Sequence, residues 1–221
     1  MTGTVELISV DVGGTLGTAD GPGLTMRLIE VSPLPPQQAR EIMRGRLHTR
    51  PTITADVVDE VCAALGIAAD PAPFTAAPAP LTLFPETLQA LRELAALAPV
   101  VTLSNVTCVD ADTDRLAAQL APYVAGHFPS CRTGYAKPDA NAFHAVARRY
   151  GTAPARMIHI GDDWNCDVLG AVNAGARAVW ISRGRPVPDE TVLRRGALVA
   201  DDLAAAARFL NRRHSREDED S

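Results

Sequence analysis

The chain has 221 residues, of which 47 % are hydrophobic and 21 % charged, and its formal net charge is −5 at pH 7. This composition is typical of a globular protein with an apolar core, and the negative charge argues against a nucleic-acid partner, which would need a basic stripe. No apolar stretch of the sequence approaches the roughly 18 residues of a membrane span, so we expect no membrane partner.

Two further features of composition bear on the setting of the protein. Lys137 is the only lysine, so every other one of the 21 basic residues is an arginine. The N-terminus lacks the basic and apolar regions of a signal peptide, which favours a cytoplasmic location. The four cysteines stand at wide, irregular spacing, which indicates neither a disulfide framework nor a zinc site. Nothing in the sequence indicates an oligomeric state.

The first eighty residues predict one buried strand followed by a helical insertion. The strand is a short apolar run, rich in β-branched residues, that ends at Asp11 and a Gly-Gly turn. The insertion, over residues 18–80, is so small that we expect it to lean on the larger domain. The predicted elements are a strand at 5–10, a hairpin or flap at 17–25, helices at 35–47 and 54–65, and a Pro- and Ala-rich linker at 70–80.

After residue 80 the pattern alternates between strands and helices. Such alternation predicts an α/β protein, a parallel sheet with helices on both faces. The core domain would comprise residues 1–17 and 81–213, and the acidic residues 214–221 predict a disordered tail. The predicted strands are 100–103, 127–128, 157–160, 178–181 and 197–199, and the predicted helices begin at 85, 112, 138, 166 and 202.

Polar side chains collect at the ends of these strands. A parallel sheet binds its ligands at the carboxyl ends of its strands, so we expect these side chains to share one site. Three carboxylates after one strand would repel one another without a cation, which favours a metal site over the capping of a helix. The residues are Asp11, then Ser104 and Asn105, then Lys137, then Asp162, Asp163 and Asp167.

In their order and placement these motifs resemble those of the haloacid-dehalogenase-like (HAD-like) superfamily of hydrolases. The stretches that carry the resemblance are Asp11-Val12-Gly13-Gly14-Thr15, Ser104-Asn105, Lys137-Pro138 and Gly161-Asp162-Asp163 with Asp167. The resemblance implies a Rossmann-like core with a small helical cap, which occupies the place of the insertion. It also implies a Mg²⁺-dependent hydrolase, foremost a phosphatase that acts on a small phosphorylated metabolite.

The same resemblance assigns roles to individual residues. Asp11 would be the covalent nucleophile, Ser104 would donate its hydroxyl to a phosphoryl oxygen, and Lys137 would hold the carboxylates and the phosphate together. The residues expected to shape the loop or bind the substrate are Gly14, Thr15 and Asn105. The expected Mg²⁺ site comprises Asp11, the carbonyl of Gly13, and Asp162, while Asp163 and Asp167 would bind the ion through water or support its direct ligands.

Gly13 departs from the pattern of the family's phosphatases, which carry an acid-base aspartate at that position. General acid-base help is worth about 10²–10⁴-fold in rate, so the sequence predicts a slow or specialised phosphatase, with Asp20 or His48 as alternative proton donors. A 2-haloacid dehalogenase, whose leaving halide needs no proton, and a non-catalytic binding protein are the alternatives. Phosphonate cleavage through a lysine of the cap is excluded, because residues 18–80 contain no lysine.

Overall fold

A computed structural model of the chain describes residues 4–219, with side chains as far as residue 213. The strands of this part are, in chain order, β1 (Leu7–Val10), β2 (Gly17–Ala19), β3 (Leu81–Leu83), β4 (Val100–Ser104), β5 (Val124–Pro129), β6 (Met157–Gly161), β7 (Arg177–Ile181) and β8 (Ala197–Ala200). Its α-helices are α1 (Leu24–Val31), α2 (Pro36–Arg46), α3 (Ala55–Leu65), α4 (Thr87–Ala95), α5 (Thr113–Leu120), α6 (Ser130–Thr133), α7 (Ala140–Arg149), α8 (Gly170–Asn173) and α9 (Leu203–Glu219).

Six strands form one parallel sheet in the order β5-β4-β1-β6-β7-β8, which confirms the predicted α/β fold. From β1 the chain builds outward through β4 and β5, and then returns to place β6 on the other side of β1. The order of strands therefore reverses at β1, where ligands bind in open sheets of this kind. The Asp11 amide donates to the Ile160 carbonyl at 2.8 Å, so Asp11 stands at this reversal point.

Each face of the sheet is covered by helices, which bury an apolar core on both sides. On one face α4 and α9 contribute Leu91, Leu94 and Leu210 to a cluster that surrounds the strand residues Ile8 and Ile160. On the other face α7 and α8 pack against β4 and β7, and the buried residues there include Phe143, Val146, Ala171 and Trp180. A core on both faces fixes the strands from both sides, and so fixes the polar residues at their ends.

The insertion differs from expectation, because it contains a third helix. The sequence predicted a hairpin or flap over 17–25, but β2 pairs antiparallel with the distant strand β3, and α1 begins at Leu24. Pro22 and the glycines on either side of it are typical of a turn, so the sequence gives no sign that α1 begins directly after them. Together α1, α2 and α3 enclose a core of their own. The buried side chains of this core include Leu24, Leu28, Met43, Val61 and Leu65.

Two other elements depart from the predicted ones. The helix expected to begin at residue 166 begins earlier, as a π-helix over Trp164–Leu169, and continues as α8. The backbone of α9 continues to Glu219, past residue 213, because extending an existing helix avoids the cost of nucleation. The disorder of residues 214–221 stays a prediction, and residues 220 and 221 lie outside the described part. Among the described helices, none has the length and apolarity to cross a membrane.

Candidate active site

The loop after β1 is shaped by two glycines with different constraints. Gly14 has a φ of +77°, and a Cβ at this position would lie 2.6 Å from a carboxylate oxygen of Asp162, so a larger residue cannot stand there. Gly13 has no such restriction: a Cβ built on it would meet nothing within 4 Å. The absence of a side chain at position 13 is therefore not imposed by space.

Lys137 lies buried between two carboxylates. Its Nζ donates to Asp11 Oδ1 at 2.7 Å and to Asp167 Oδ1 at 2.6 Å, while the lysine side chain is only 2 % exposed. A buried ammonium needs such partners, because desolvation of an unpaired charge is costly. The one lysine of the sequence thus joins the end of β1 to the π-helix after β6.

Asn105 holds the backbone of Lys137 in place. The Lys137 amide donates to Asn105 Oδ1 at 2.7 Å, and Asn105 Nδ2 donates to the Lys137 carbonyl, also at 2.7 Å. This reciprocal pair uses the amide group that the sequence assigned to the substrate. Ser104, at the end of β4, lines the cavity beside Asp11, and its hydroxyl has no hydrogen-bond partner among the described residues. Ser104 is therefore available to a ligand.

Three carboxylates meet at the carboxyl edge of the sheet. One oxygen from each of Asp11, Asp162 and Asp167 lies within 4.8 Å of the others. Asp163, which the sequence placed in the metal site, is not part of this group: its carboxylate accepts from the Cys166 amide at 2.7 Å and caps the π-helix. The cluster presents hard oxygen donors, the ligands that Mg²⁺ prefers, so these residues fit that ion.

The pKa values of the cluster reflect its burial and its charges. Burial and the nearby Asp167 carboxylate, partly offset by Lys137, raise the pKa of Asp11 to about 7. Burial and Asp167 also raise the pKa of Asp162. Burial would raise the pKa of Asp167 as well, but the Lys137 charge and the His159 hydrogen bond outweigh it and hold that pKa below its usual value. A cation beside Asp11 and Asp162 would relieve this repulsion.

Sequence analysis missed a buried polar chain behind Asp167. His159 Nε2 lies 3.1 Å from Asp167 Oδ1, and His159 Nδ1 lies 2.8 Å from the Ser9 hydroxyl. Both His159 and Ser9 are fully buried. Asp167 Oδ2 accepts from the Asp163 amide at 2.9 Å, so hydrogen bonds from several sides fix the carboxylate that holds Lys137. His159 is a polar residue inside an otherwise apolar strand, which was the available signal.

A second missed residue holds the loop after Asp11. The Arg183 guanidinium donates to the Gly14 carbonyl from Nε at 3.1 Å and from Nη2 at 3.0 Å. It also lies over the Phe84 ring, 3.9 Å from the centroid. Arg183 has a φ of 47°, which an L-residue adopts at a cost. Its position among many arginines gave no sequence signal.

A cavity of about 490 Å³ adjoins the carboxylates. Asp11, Gly13, Ser104 and Lys137 line its inner end, and the rest extends between the β2–β3 pair and α5. Gly14 and Thr15, predicted to shape the loop or touch the substrate, are not among the residues that line it, and Thr15 is fully buried.

The two proton donors considered from the sequence lie away from this cavity. The Asp20 carboxylate accepts the Thr82 hydroxyl at 2.7 and 2.9 Å, within the β2–β3 pair. His48 is buried, and its Nε2 lies 2.8 Å from the Thr25 hydroxyl. Neither residue lines the cavity, so in this conformation neither faces a leaving group.

The family described as haloacid dehalogenase-like hydrolase matches residues 35–175, more than half of the sequence. The chain belongs to this family of hydrolases. The matched residues include Ser104, Lys137 and Asp162, whereas Asp11 precedes them in the sequence.

Individual relatives include enzymes of more than one kind. A phosphoserine phosphatase of Thermus thermophilus is 34 % identical over 110 residues, which are 49 % of this chain and 44 % of that protein. The chain thus spans less than half of the length of this relative. The structure of a 2-haloacid dehalogenase from Pseudomonas syringae matches with a TM-score of 0.65 at 22 % identity, covering 95 % of this chain and 99 % of that one. A HAD phosphatase from Thermococcus onnurineus matches with a TM-score of 0.58 at 18 % identity, covering 93 % and 98 %. At these identities the two structures establish the fold alone.

Proposed function

We propose that the protein is a Mg²⁺-dependent phosphatase that acts on a small phosphorylated metabolite through an aspartyl-phosphate on Asp11. The observation that carries this proposal is the buried Lys137, held 2.7 Å from Asp11 and 2.6 Å from Asp167, beside a group of three carboxylates. Three carboxylates exceed the charge of a single ammonium, which fits a site that also takes a divalent cation. The phosphatase relative from Thermus thermophilus supports the same chemistry.

The residues of the chain divide the reaction between them. A carboxylate oxygen of Asp11 attacks phosphorus, the bond to the leaving oxygen breaks, and water then hydrolyses the acyl phosphate to release phosphate. Lys137 neutralises charge between Asp11 and the phosphoryl group, while Ser104 donates its hydroxyl to a phosphoryl oxygen. Bound Mg²⁺, held by Asp11 and Asp162 with the Gly13 carbonyl, would supply further charge stabilisation. Gly13 has no proton for the leaving oxygen, which therefore takes one from water.

A 2-haloacid dehalogenase is the second candidate. Gly13 favours it, because a departing halide needs no proton. The three clustered carboxylates weigh against it. Asp11, Asp162 and Asp167 repel the carboxylate of a 2-haloacid substrate unless a cation is bound. The two candidates therefore differ in their need for Mg²⁺.

The proposed function predicts Mg²⁺-dependent release of phosphate from an aryl phosphate such as p-nitrophenyl phosphate. We expect EDTA to abolish the activity and Asp11→Asn to abolish it at saturating Mg²⁺, because the amide is no nucleophile. The matched change Asp189→Asn, at the start of an exposed turn far along the chain, should keep the activity. Halide release from 2-chloropropionate without Mg²⁺ would select the dehalogenase, and metal binding without turnover on either substrate would select a non-catalytic binder.

A further inference from the structure

The cavity beside Asp11 extends well beyond the reacting groups. Its inner end is polar, with Asp11, Ser104 and Lys137. Its lining also includes small or aliphatic side chains, among them Ala79, Leu81 and Leu116. A phosphoryl group at the inner end would leave this apolar stretch to the carbon atoms of the leaving group.

The cavity is also lined by a histidine that has one ring nitrogen in use. His127 Nδ1 is 2.9 Å from the Thr102 hydroxyl, and among the described residues Nε2 has no hydrogen-bond partner. When Thr102 donates to Nδ1, Nε2 carries the proton and can donate to a ligand. Burial lowers the pKa of His127, so the imidazole is neutral at pH 7.

A second lining residue is Arg115, on α5, the helix that packs against the strand of His127. Its guanidinium makes no hydrogen bond or ion pair with the described residues, and it lines the same cavity. The Arg185 guanidinium, by contrast, is taken up by the carbonyls of Ser182, Asp162 and Ile181. Arg115 is thus the arginine of the cavity that is available to an anion.

Two acidic side chains that line the cavity together with Arg115 accept hydrogen bonds from the protein itself. Asp110 accepts the Leu24 amide and the Thr107 hydroxyl, at 2.9 Å each. Asp112 accepts the Arg115 amide at 3.1 Å and caps α5. Their lone pairs serve helix ends and a loop, so the guanidinium keeps its donors for a bound molecule.

The strand register gives the separation between the strand of His127 and β1, the strand that leads to Asp11. Val10 pairs with Thr102, and Thr102 pairs with His127, so His127 lies two strands away from β1. Two strand spacings amount to about 10 Å. A separation of that size between the two strands leaves room for a phosphoryl group and a short carbon chain between Asp11 and His127.

From these observations we infer that Arg115 and His127 form a subsite for a carboxylate, and that the substrate is a short phosphomonoester whose leaving group carries one. The inference rests on the proposed function and narrows it to a substrate class. A guanidinium binds a carboxylate through two parallel hydrogen bonds, which explains an arginine at this place. The neutral His127 adds a directional donor without adding charge.

Paired ligands test this subsite. The ligands are 3-phosphoglycerate and glycerol 3-phosphate, which differ in having a carboxylate or a hydroxymethyl group at the same carbon. Dissociation constants are measured by calorimetry with Mg²⁺ on full-length Asp11→Asn protein, which cannot turn the ligands over. We expect 3-phosphoglycerate to bind at least about tenfold more tightly, the ratio that one charge-assisted hydrogen-bonded pair produces.

Substitutions then assign the preference to residues. Arg115→Gln should reduce the ratio of the two dissociation constants to about one to two, and His127→Asn should reduce it in part. The matched change Arg92→Gln, an exposed arginine on α4 away from the cavity, should keep the full ratio.

Three results would overturn the subsite: equal affinities in the unsubstituted background, a preference that survives Arg115→Gln, or no binding of either ligand. Failure of the proposed function would look different. In that case the wild-type protein would release no phosphate from any phosphomonoester, whereas loss of the subsite alone would leave such turnover without the carboxylate preference.

Discussion

Gly13 sets the chemical character of the proposed reaction. Its backbone can serve the metal, but it provides no acid for the leaving oxygen, and the structure shows open space where a side chain would stand. The rate should therefore depend steeply on how readily the leaving group departs without a proton. Asp11 would attack whether or not position 13 carries an acid. Lys137 and Asp167 hold it through contacts that do not involve that position.

Gly13→Asp should restore a proton donor. We expect kcat/KM for an alkyl phosphate to rise by about 10²-fold, the lower end of the usual gain from general acid catalysis. The gain for p-nitrophenyl phosphate should be much smaller, because its leaving group needs no proton. Steady-state rates on both substrates measure the difference.

Gly13→Asn is the matched control for this prediction. It has nearly the same volume as aspartate and no acidic proton, so we expect no gain on the alkyl phosphate. Equal gains from Asn and Asp, or no gain from a correctly folded Asp variant, would mean that proton supply at position 13 does not limit the rate.

At the scale of elements, the cap is joined to the core by a few defined contacts. Helix α1 has Gly23 at its N-cap position and no side-chain cap of its own. The core residue Asp110, in the loop after β4, accepts the Leu24 amide and thereby caps α1 from outside the insertion. A second contact joins the Ser130 hydroxyl to the His48 carbonyl at 2.8 Å. The order of α1 therefore depends on a residue of the other domain.

Asp110→Ala should loosen α1. Loss of a capping carboxylate costs about 1 kcal/mol, which corresponds to roughly fivefold faster hydrogen exchange for amides that open locally. Exchange measured by mass spectrometry on peptides covering Leu24–Val31 reports this opening. Asp112→Ala is the matched control, because it removes the cap of α5 and should speed exchange there instead. Unchanged exchange in α1 after Asp110→Ala would contradict the role of this contact.

At the scale of the whole molecule, the sequence was most informative where a residue's role depends on its position along a strand. Asp11, Ser104 and Asp162 follow apolar runs, so the parallel sheet was enough to place them together. Lys137 is no neighbour of Asp11 in sequence, but as the one lysine it could be singled out. These signals come from local pattern and from composition.

The remaining features depend on packing between elements, which no local pattern carries. Asp163 and Asp167 are both acidic and close in sequence, yet the π-helix turns Asp167 toward Lys137 and leaves Asp163 as its cap. The sequence predicted that Asn105 contacts the substrate, but its side chain forms two hydrogen bonds with the backbone of Lys137. Arg115 and His127 lie on different elements, and both line the cavity.

The acyl-phosphate itself is the most direct test of the account. The full-length protein is mixed with Mg²⁺ and an excess of an activated aryl phosphate, quenched in acid during turnover, and its peptides are analysed by mass spectrometry. We expect a phosphoryl group on the peptide that contains Asp11, removed by hydroxylamine and absent from Asp11→Asn. Phosphate release without any phosphoryl group on that peptide, or a phosphoryl group that persists in Asp11→Asn, would contradict Asp11 as the nucleophile.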